Sequence, residues 1–305
     1  MTQEKKMQLT LGPLLYFWPL EDVKAFYRQA CSWPVDVVYL GETVCSRRRE
    51  MSLDAWLAVA EQLHEAGKQV VLSTQTLLES AADRRQLMQL VARAQQHPAI
   101  ACVEASDMSG VEVCAQLGMP FVAGAALNIY SPAALKVLLR QGLKRWVFPV
   151  ELSRQTLAEM QAWIHDHQPE VETEVFSYGK LPLAWSARCF TARHHNLPKD
   201  RCQFVCRDYP AGLMLRSQEA QELFTLNGIQ TLSAAPFNLL YQGDDLKDLA
   251  VTHLRISPEA QPMQEVIQAF DRMRQGEGVE NVLHLVDQAS CNGYWFGEPG
   301  QQRIT

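Results

Sequence analysis

Short apolar runs alternate with longer amphipathic stretches along most of the chain. LTLGPLL (9–15), VDVVYLG (35–41), QVVLST (69–74), IACVEAS (100–106), PFVAGAA (120–126), RWVFPVE (145–151) and VETEVFSYG (171–179) each read as a strand. Between them apolar positions recur at helical spacing, in a helix from about Glu21 and in others over 52–67, 77–97, near 108–117, over 132–142 and over 154–167. Local signals mark several ends. Ser52 and Ser153 suit N-caps, Ser131 precedes a proline at the first helical position, Gly67 suits a C-terminal stop, and Pro98 ends the 77–97 stretch.

Seven strand–helix alternations therefore precede residue 180. Runs this short and this continuously apolar suit a parallel sheet buried on both faces. The region 211–235 reads as hairpin-like, VTHLRIS (251–257) supplies an eighth parallel strand, and 258–275 a last helix. The expected fold class is α/β, a (βα)8 TIM-barrel-like architecture. An open doubly wound sheet is the runner-up, and no GxGxxG or Walker A sequence supports a nucleotide site in it. Residues 1–305 read as one barrel-like domain, with a cysteine segment at 180–210 after the seventh strand and an irregular, glycine-rich tail over about 277–305. Nothing in the composition marks a linker, a repeat or a low-complexity tract.

The chain has 305 residues, of which 47% are hydrophobic and 20% charged, with a net charge of −6, so a sizeable core is available. The acidic balance argues against broad electrostatic binding of nucleic acid. Arg47, Arg48 and Arg49 are consecutive, and the plain expectation for them is a solvated face, the alternative being an anionic donor or a partner. No apolar run approaches the ~20 residues of a membrane-spanning helix. Lys5 and Lys6 precede LTLGPLLYFWPL, but Pro13 and Pro19 interrupt it, Glu21 and Asp22 follow, and no A-x-A site appears. A first strand and a cytoplasmic location are expected. Structural disulfides are then not expected, and clustered thiols point to metal or catalysis.

Such a cluster exists. Cys189, Cys202 and Cys206 stand at C-x12-C-x3-C, with His194 and His195 between the first two. A tetrahedral metal or an iron–sulfur cluster usually takes four ligands. In a barrel, the segment after strand 171–179 emerges at the C-terminal face, and so does Cys45, four residues beyond strand 35–41. Cys31 precedes a strand and belongs at the opposite face. Cys102, inside a strand, and Cys114, within a helix, read as small buried apolar residues. Cys291 lies in the tail and stays open. The expected site is Cys45, Cys189, Cys202 and Cys206, able to hold zinc or iron–sulfur. His194 or His195 could replace one thiolate in a zinc site, the plainer reading of both being a solvated loop.

These residues resemble the signature of the collagenase-like peptidase family. The likeness runs through Glu174-Val175-Phe176-x-Tyr178-Gly179-x-Leu181, Trp185-Ser186-x-x-Cys189 and Cys202-x-x-x-Cys206, with support from VDVVYLGETVCSRRREMSLD, and extends from about residue 8 to 290. The resemblance implies a [4Fe–4S] cluster on Cys45, Cys189, Cys202 and Cys206. It further implies a heterodimer with a UbiU-like protein, a quinone-precursor substrate, and ring hydroxylation without dioxygen in ubiquinone biosynthesis. Relatives hydroxylate RNA bases. Many members carry a further cysteine shortly after the Tyr/His-Gly pair, where this chain has Pro182. That departure argues against a peptidase with a cysteine nucleophile there, and no Ser/His/Asp order or HExxH motif stands out either. Glu42, Glu104, Asp107, Asn128, Glu151 and His253, near the expected strand ends, are the candidate pocket groups. Their alternative is to satisfy loop backbone or to form ion pairs. Tyr294, Trp295 and Phe296 read as an interface patch or as core.

Overall fold

The computed structural model describes residues 7–279 and 290–304. Eight parallel strands close on themselves: β1 (Gln8–Leu11), β2 (Val37–Leu40), β3 (Gln69–Ser73), β4 (Ile100–Ala105), β5 (Phe121–Ala123), β6 (Leu143–Val147), β7 (Glu172–Trp185) and β11 (His253–Ile256). Closure is made by β11, which pairs in parallel with both β1 and β7. The connections are α1 (Leu20–Ala30), α2 (Leu53–Glu65), α3 (Ala81–Gln96), α4 (Met108–Leu117), α5 (Pro132–Leu139) and α6 (Arg154–His167), with α9 (Met263–Arg274) after the last strand. Three antiparallel strands, β8 (Leu213–Arg216), β9 (Glu222–Asn227) and β10 (Gln230–Asn238), interrupt the alternation between β7 and β11. The short helices α7 (Phe190–His194) and α8 (Gly243–Asp248) flank them. The closed barrel, rather than the open sheet, is the architecture.

The expected caps form. Ser52, Ser131 and Ser153 each accept a backbone N–H of the first turn of α2, α5 and α6. Three boundaries move for local reasons. The 77–97 helix starts at Ala81, because Ser80 accepts the amide of Asp83 and so places the cap four residues later. The last helix starts at Met263 rather than 258. The seventh strand does not stop at 179 but runs on to Trp185, paired with β10.

The strands look uniformly apolar because both faces are buried. Leu9, Leu11, Val38, Leu40, Val70, Leu72 and Val103 pack outward under the helices, while Val37, Tyr39, Val71, Cys102, Val122 and Val147 form a separate inner cluster. The same inward positions carry charges. Glu174 accepts from Tyr39 (2.5 Å), Thr10 (2.7 Å) and Arg255 Nε (2.7 Å). Arg255 Nη1 also reaches Glu104 (2.7 Å), and its guanidinium lies 4.3 Å from the Tyr39 ring centroid. Arg145 donates to the Tyr39 hydroxyl and pairs with Glu172 and Glu174. Burial alone would raise the pKa of Glu174; the guanidiniums of Arg255 and Arg145, with His253, reverse this and hold it at about 2.

His253 opens β11, so it sits at the N-terminal end of the barrel, away from the face where the sequence places pocket groups. It is 2% exposed, and burial, with Arg145 beside it, depresses its pKa to about 4 from 6.5. The unfolded chain therefore binds a proton that the folded chain refuses between those values. Stability should be constant above about pH 6.5 and fall as pH drops toward 4, by roughly 3 kcal/mol. Denaturant unfolding at pH 7 and pH 5 measures it. His253→Gln should lose that part of the pH dependence, and an unchanged profile would remove His253 as its source.

Candidate functional site

Cys45 is set by the loop after β2. Glu42 Oε1 accepts the amides of Val44 (2.9 Å) and Cys45 (3.0 Å), turning the chain back on itself. The other three thiols follow β7. Cys189 caps α7, its sulfur accepting the amide of Ala192, and Cys202 and Cys206 flank a turn in which Gln203 and Phe204 both have positive φ (52° and 57°). The hairpin turn Gly228-Ile229 between β9 and β10 holds this segment down. Gly228 accepts the amide of Phe190 (2.7 Å) and donates to the Thr191 hydroxyl (3.0 Å), and Ile229 accepts the amide of Ser186 (2.9 Å).

Arg48 ties the parts together. It is 4% exposed; its Nη1 donates to the Leu15 carbonyl (2.8 Å) and its Nη2 to Asn227 Oδ1 (2.7 Å), joining the loops after β1 and β2 to the β9–β10 turn. The expectation of a solvated Arg47–Arg49 face is corrected here. Arg49 is exposed, but Arg47 is half-buried and bonds the Asp200 carbonyl (2.7 Å), and Arg48 is part of the interior. Gly228 is held tightly, since a Cβ there would lie 3.0 Å from Arg48 Nη2 and its φ is +64°.

Cys45, Cys189, Cys202 and Cys206 all line one small cavity, together with Arg47, Arg48 and Lys199. All four are free thiols. Burial raises the pKa of Cys45 and of Cys206, and Arg48 opposes the shift in both, in Cys206 also through a hydrogen bond. The Nε atoms of Arg47 and Arg48 are buried without a partner. Among the described residues no three His, Cys, Asp or Glu side chains are grouped as for a single metal ion.

The remaining cysteines lie elsewhere. Cys31 donates to the Tyr27 carbonyl at the end of α1, Cys102 sits in the inner barrel cluster, and Cys114 belongs to the outer core. Burial pushes Cys102 and Cys114 each up to about 12. Cys291 is buried beside β10, where its amide bonds the Pro236 carbonyl, and does not line the cavity. His194 and His195 are exposed, His195 within 2.9 Å of the Tyr209 hydroxyl, and neither lines the cavity.

Most candidate pocket groups have structural duties. Asp107 caps α4, Asn128 ends a short 3-10 turn in a left-handed conformation, and Glu151 accepts from the Tyr130 hydroxyl. Glu104 is bound to Arg255 and Ser73 inside the barrel. Trp295 is buried in the core and Phe296 lies under Arg154, which leaves little of the 294–296 patch for an interface. Two groups were not foreseen. Glu259, beyond β11, accepts from Tyr16 (2.7 Å) and from the amide of Lys180 (2.8 Å), and burial raises the pKa of both acids. Asn227 was legible in principle, since Asn-Gly between two apolar runs is a strong hairpin signal.

Fold and site together define a (βα)8 barrel bearing a four-cysteine cavity on its C-terminal rim. The chain belongs to peptidase family U32, whose profile matches residues 20–301. Among solved structures it is similar to a dihydropteroate synthase (DHPS) of Yersinia pestis with a bound pterine–sulfa conjugate, at 11% identity and a TM-score of 0.44 over 89% of this chain and 93% of that one. A rubisco-like protein of Burkholderia fungorum matches at 14% identity and a TM-score of 0.48 over 92% and 64%. A type I 3-dehydroquinate dehydratase of Clostridium difficile matches at 8% and 0.41 over 90% and 94%. None of these likenesses carries an argument about chemistry.

Proposed function

We propose that this chain is a [4Fe–4S] subunit of an oxygen-independent hydroxylase in ubiquinone biosynthesis, the UbiV-like partner of a UbiU-like protein. The observation that carries the reading is the cavity itself. Four reduced thiols from segments far apart in sequence line it, and two buried guanidinium N–H groups beside it lack partners. Four cysteine donors suit an iron–sulfur cluster or a zinc ion, and the resemblance of the cysteine pattern to the family's signature favours the cluster. Cys45, Cys189, Cys202 and Cys206 would hold it. A [4Fe–4S] cluster supplies single-electron transfer, and four thiolate ligands leave no iron open to substrate.

The chain's own residues do the rest. Arg48 places a fixed positive charge beside the sulfurs, which favours thiolate and offsets the cluster's negative charge. Among the described residues no helix is long and apolar enough to cross a membrane. Anaerobically purified protein should carry about four irons and four sulfides per chain, and a deletion strain grown without oxygen should stop making ubiquinone. Colourless protein without iron, or normal quinone content in that strain, would overturn the proposal. Co-expression with a UbiU-like protein should give a stable one-to-one complex on gel filtration.

A further inference from the structure

One residue of the cysteine cavity faces two ways. Phe204, between Cys202 and Cys206, lines the cavity and is also 36% exposed, whereas the other lining residues are buried or half-buried. Its backbone takes φ +57°, in the left-handed region that a bulky side chain rarely adopts, and Gln203 beside it takes φ +52°. Two such residues in succession cost conformational energy, and a glycine at either place would cost none. A phenyl ring thus stands at the solvent side of the thiols, where the backbone disfavours it.

The ring is braced. The Phe17 ring lies 5.9 Å from it, centroid to centroid, and the Arg207 guanidinium lies 5.0 Å from the Phe17 centroid and 5.9 Å from that of Phe204. Arg207 is anchored in turn by an ion pair with Glu50, in the loop after β2. The long polar side chains of the same wall are tied elsewhere. Lys199 binds Glu79 and the Ala187 carbonyl (2.9 Å), and Arg47 binds the Asp200 carbonyl (2.7 Å).

We propose that Phe204 is the cover of the cysteine cavity: its ring, braced by Phe17 and Arg207, stands between the thiols and the solvent and sets the rate at which small polar oxidants and chelators reach them. The cover rests on the function proposed above only for what it protects, since access to the thiols can be measured with or without iron.

The test compares the anaerobically purified full chain with Phe204→Gly, Phe204→Tyr, Gln203→Gly and Arg207→Gln. Iron release to excess EDTA is followed by loss of visible absorbance; in chains without iron, labelling of the four cavity thiols by iodoacetamide is followed by mass spectrometry. Phe204→Gly should speed release by about tenfold or more. Its melting temperature and its amide exchange over residues 199–209 should stay close to wild type, because glycine takes the positive φ without strain. Phe204→Tyr keeps the ring and Gln203→Gly keeps Phe204, so both should release iron at the wild-type rate. Arg207→Gln, at an exposed position, removes the brace and should also speed release. A wild-type rate in Phe204→Gly or, should that variant not fold, in Arg207→Gln would overturn the cover. So would faster release matched by equally faster amide exchange, which reports a loosened loop. Iron-free wild-type chain, with cavity thiols labelled about tenfold faster in Phe204→Gly, would overturn the cluster and leave the cover standing.

Discussion

Alanine at any one of Cys45, Cys189, Cys202 or Cys206 is expected to strip most iron and sulfide from the anaerobically purified protein and to abolish ubiquinone synthesis during anaerobic growth. The four cysteines line one cavity, and a cluster held by three lacks a ligand; in Cys45→Ala it also lacks the link between the loop after β2 and the segment after β7. The loops should also loosen, because ligand binding and local folding are coupled. Faster amide exchange over residues 186–209 would report that part. Alanine at Cys31, Cys102 or Cys114 should leave iron in place at a packing cost on the order of 1 kcal/mol. Cys291→Ala belongs to the same group, since its thiol lies beside β10 and not on the cavity. Full iron in Cys45→Ala with loss in Cys291→Ala would show that the fourth ligand is wrongly assigned.

Glu174→Gln should be the most destabilising single change in the barrel interior, at about 3–5 kcal/mol, because it leaves buried guanidiniums without their shared carboxylate. Glu174 is fully buried and receives Arg255, Tyr39 and Thr10, with Arg145 at 3.4 Å. Its low pKa carries the same information: the contribution is present above about pH 4.5 and is lost as pH falls toward about 2. Urea midpoints for Glu174→Gln, Arg255→Met and the double variant measure the coupling. The double variant should be less destabilised than the sum, since removing both partners leaves fewer orphaned charges. Additive losses would mean that the pair does not act as a unit. Arg255 keeps Glu104 as a second partner, so some loss remains in the double variant.

The barrel was legible in the sequence for a simple reason. Parallel strands covered on both faces must be short continuous apolar runs, and helices between them must show one apolar stripe. VDVVYLG and QVVLST carry that pattern, and Ser52, Ser131 and Ser153 cap the helices that their neighbours predict. The grouping of Cys45 with the later cysteines was legible too, because strand direction alone decides at which face a loop emerges.

What the sequence could not show depends on partners far along the chain. Arg48 reads as one of three solvated arginines, and only the approach of residues 15 and 227 makes its burial tolerable. Nothing local announces that Glu174, Arg145 and Arg255 face one another across the lumen, since they come from three strands spread over more than a hundred residues of sequence. The seventh strand outruns its expected end because β10, some fifty residues later, pairs with it through Trp185. Local sequence determined the elements and the face on which each loop emerges; the tertiary structure decided which charges are buried, because burial of a charge or a thiol is a property of what packs against it.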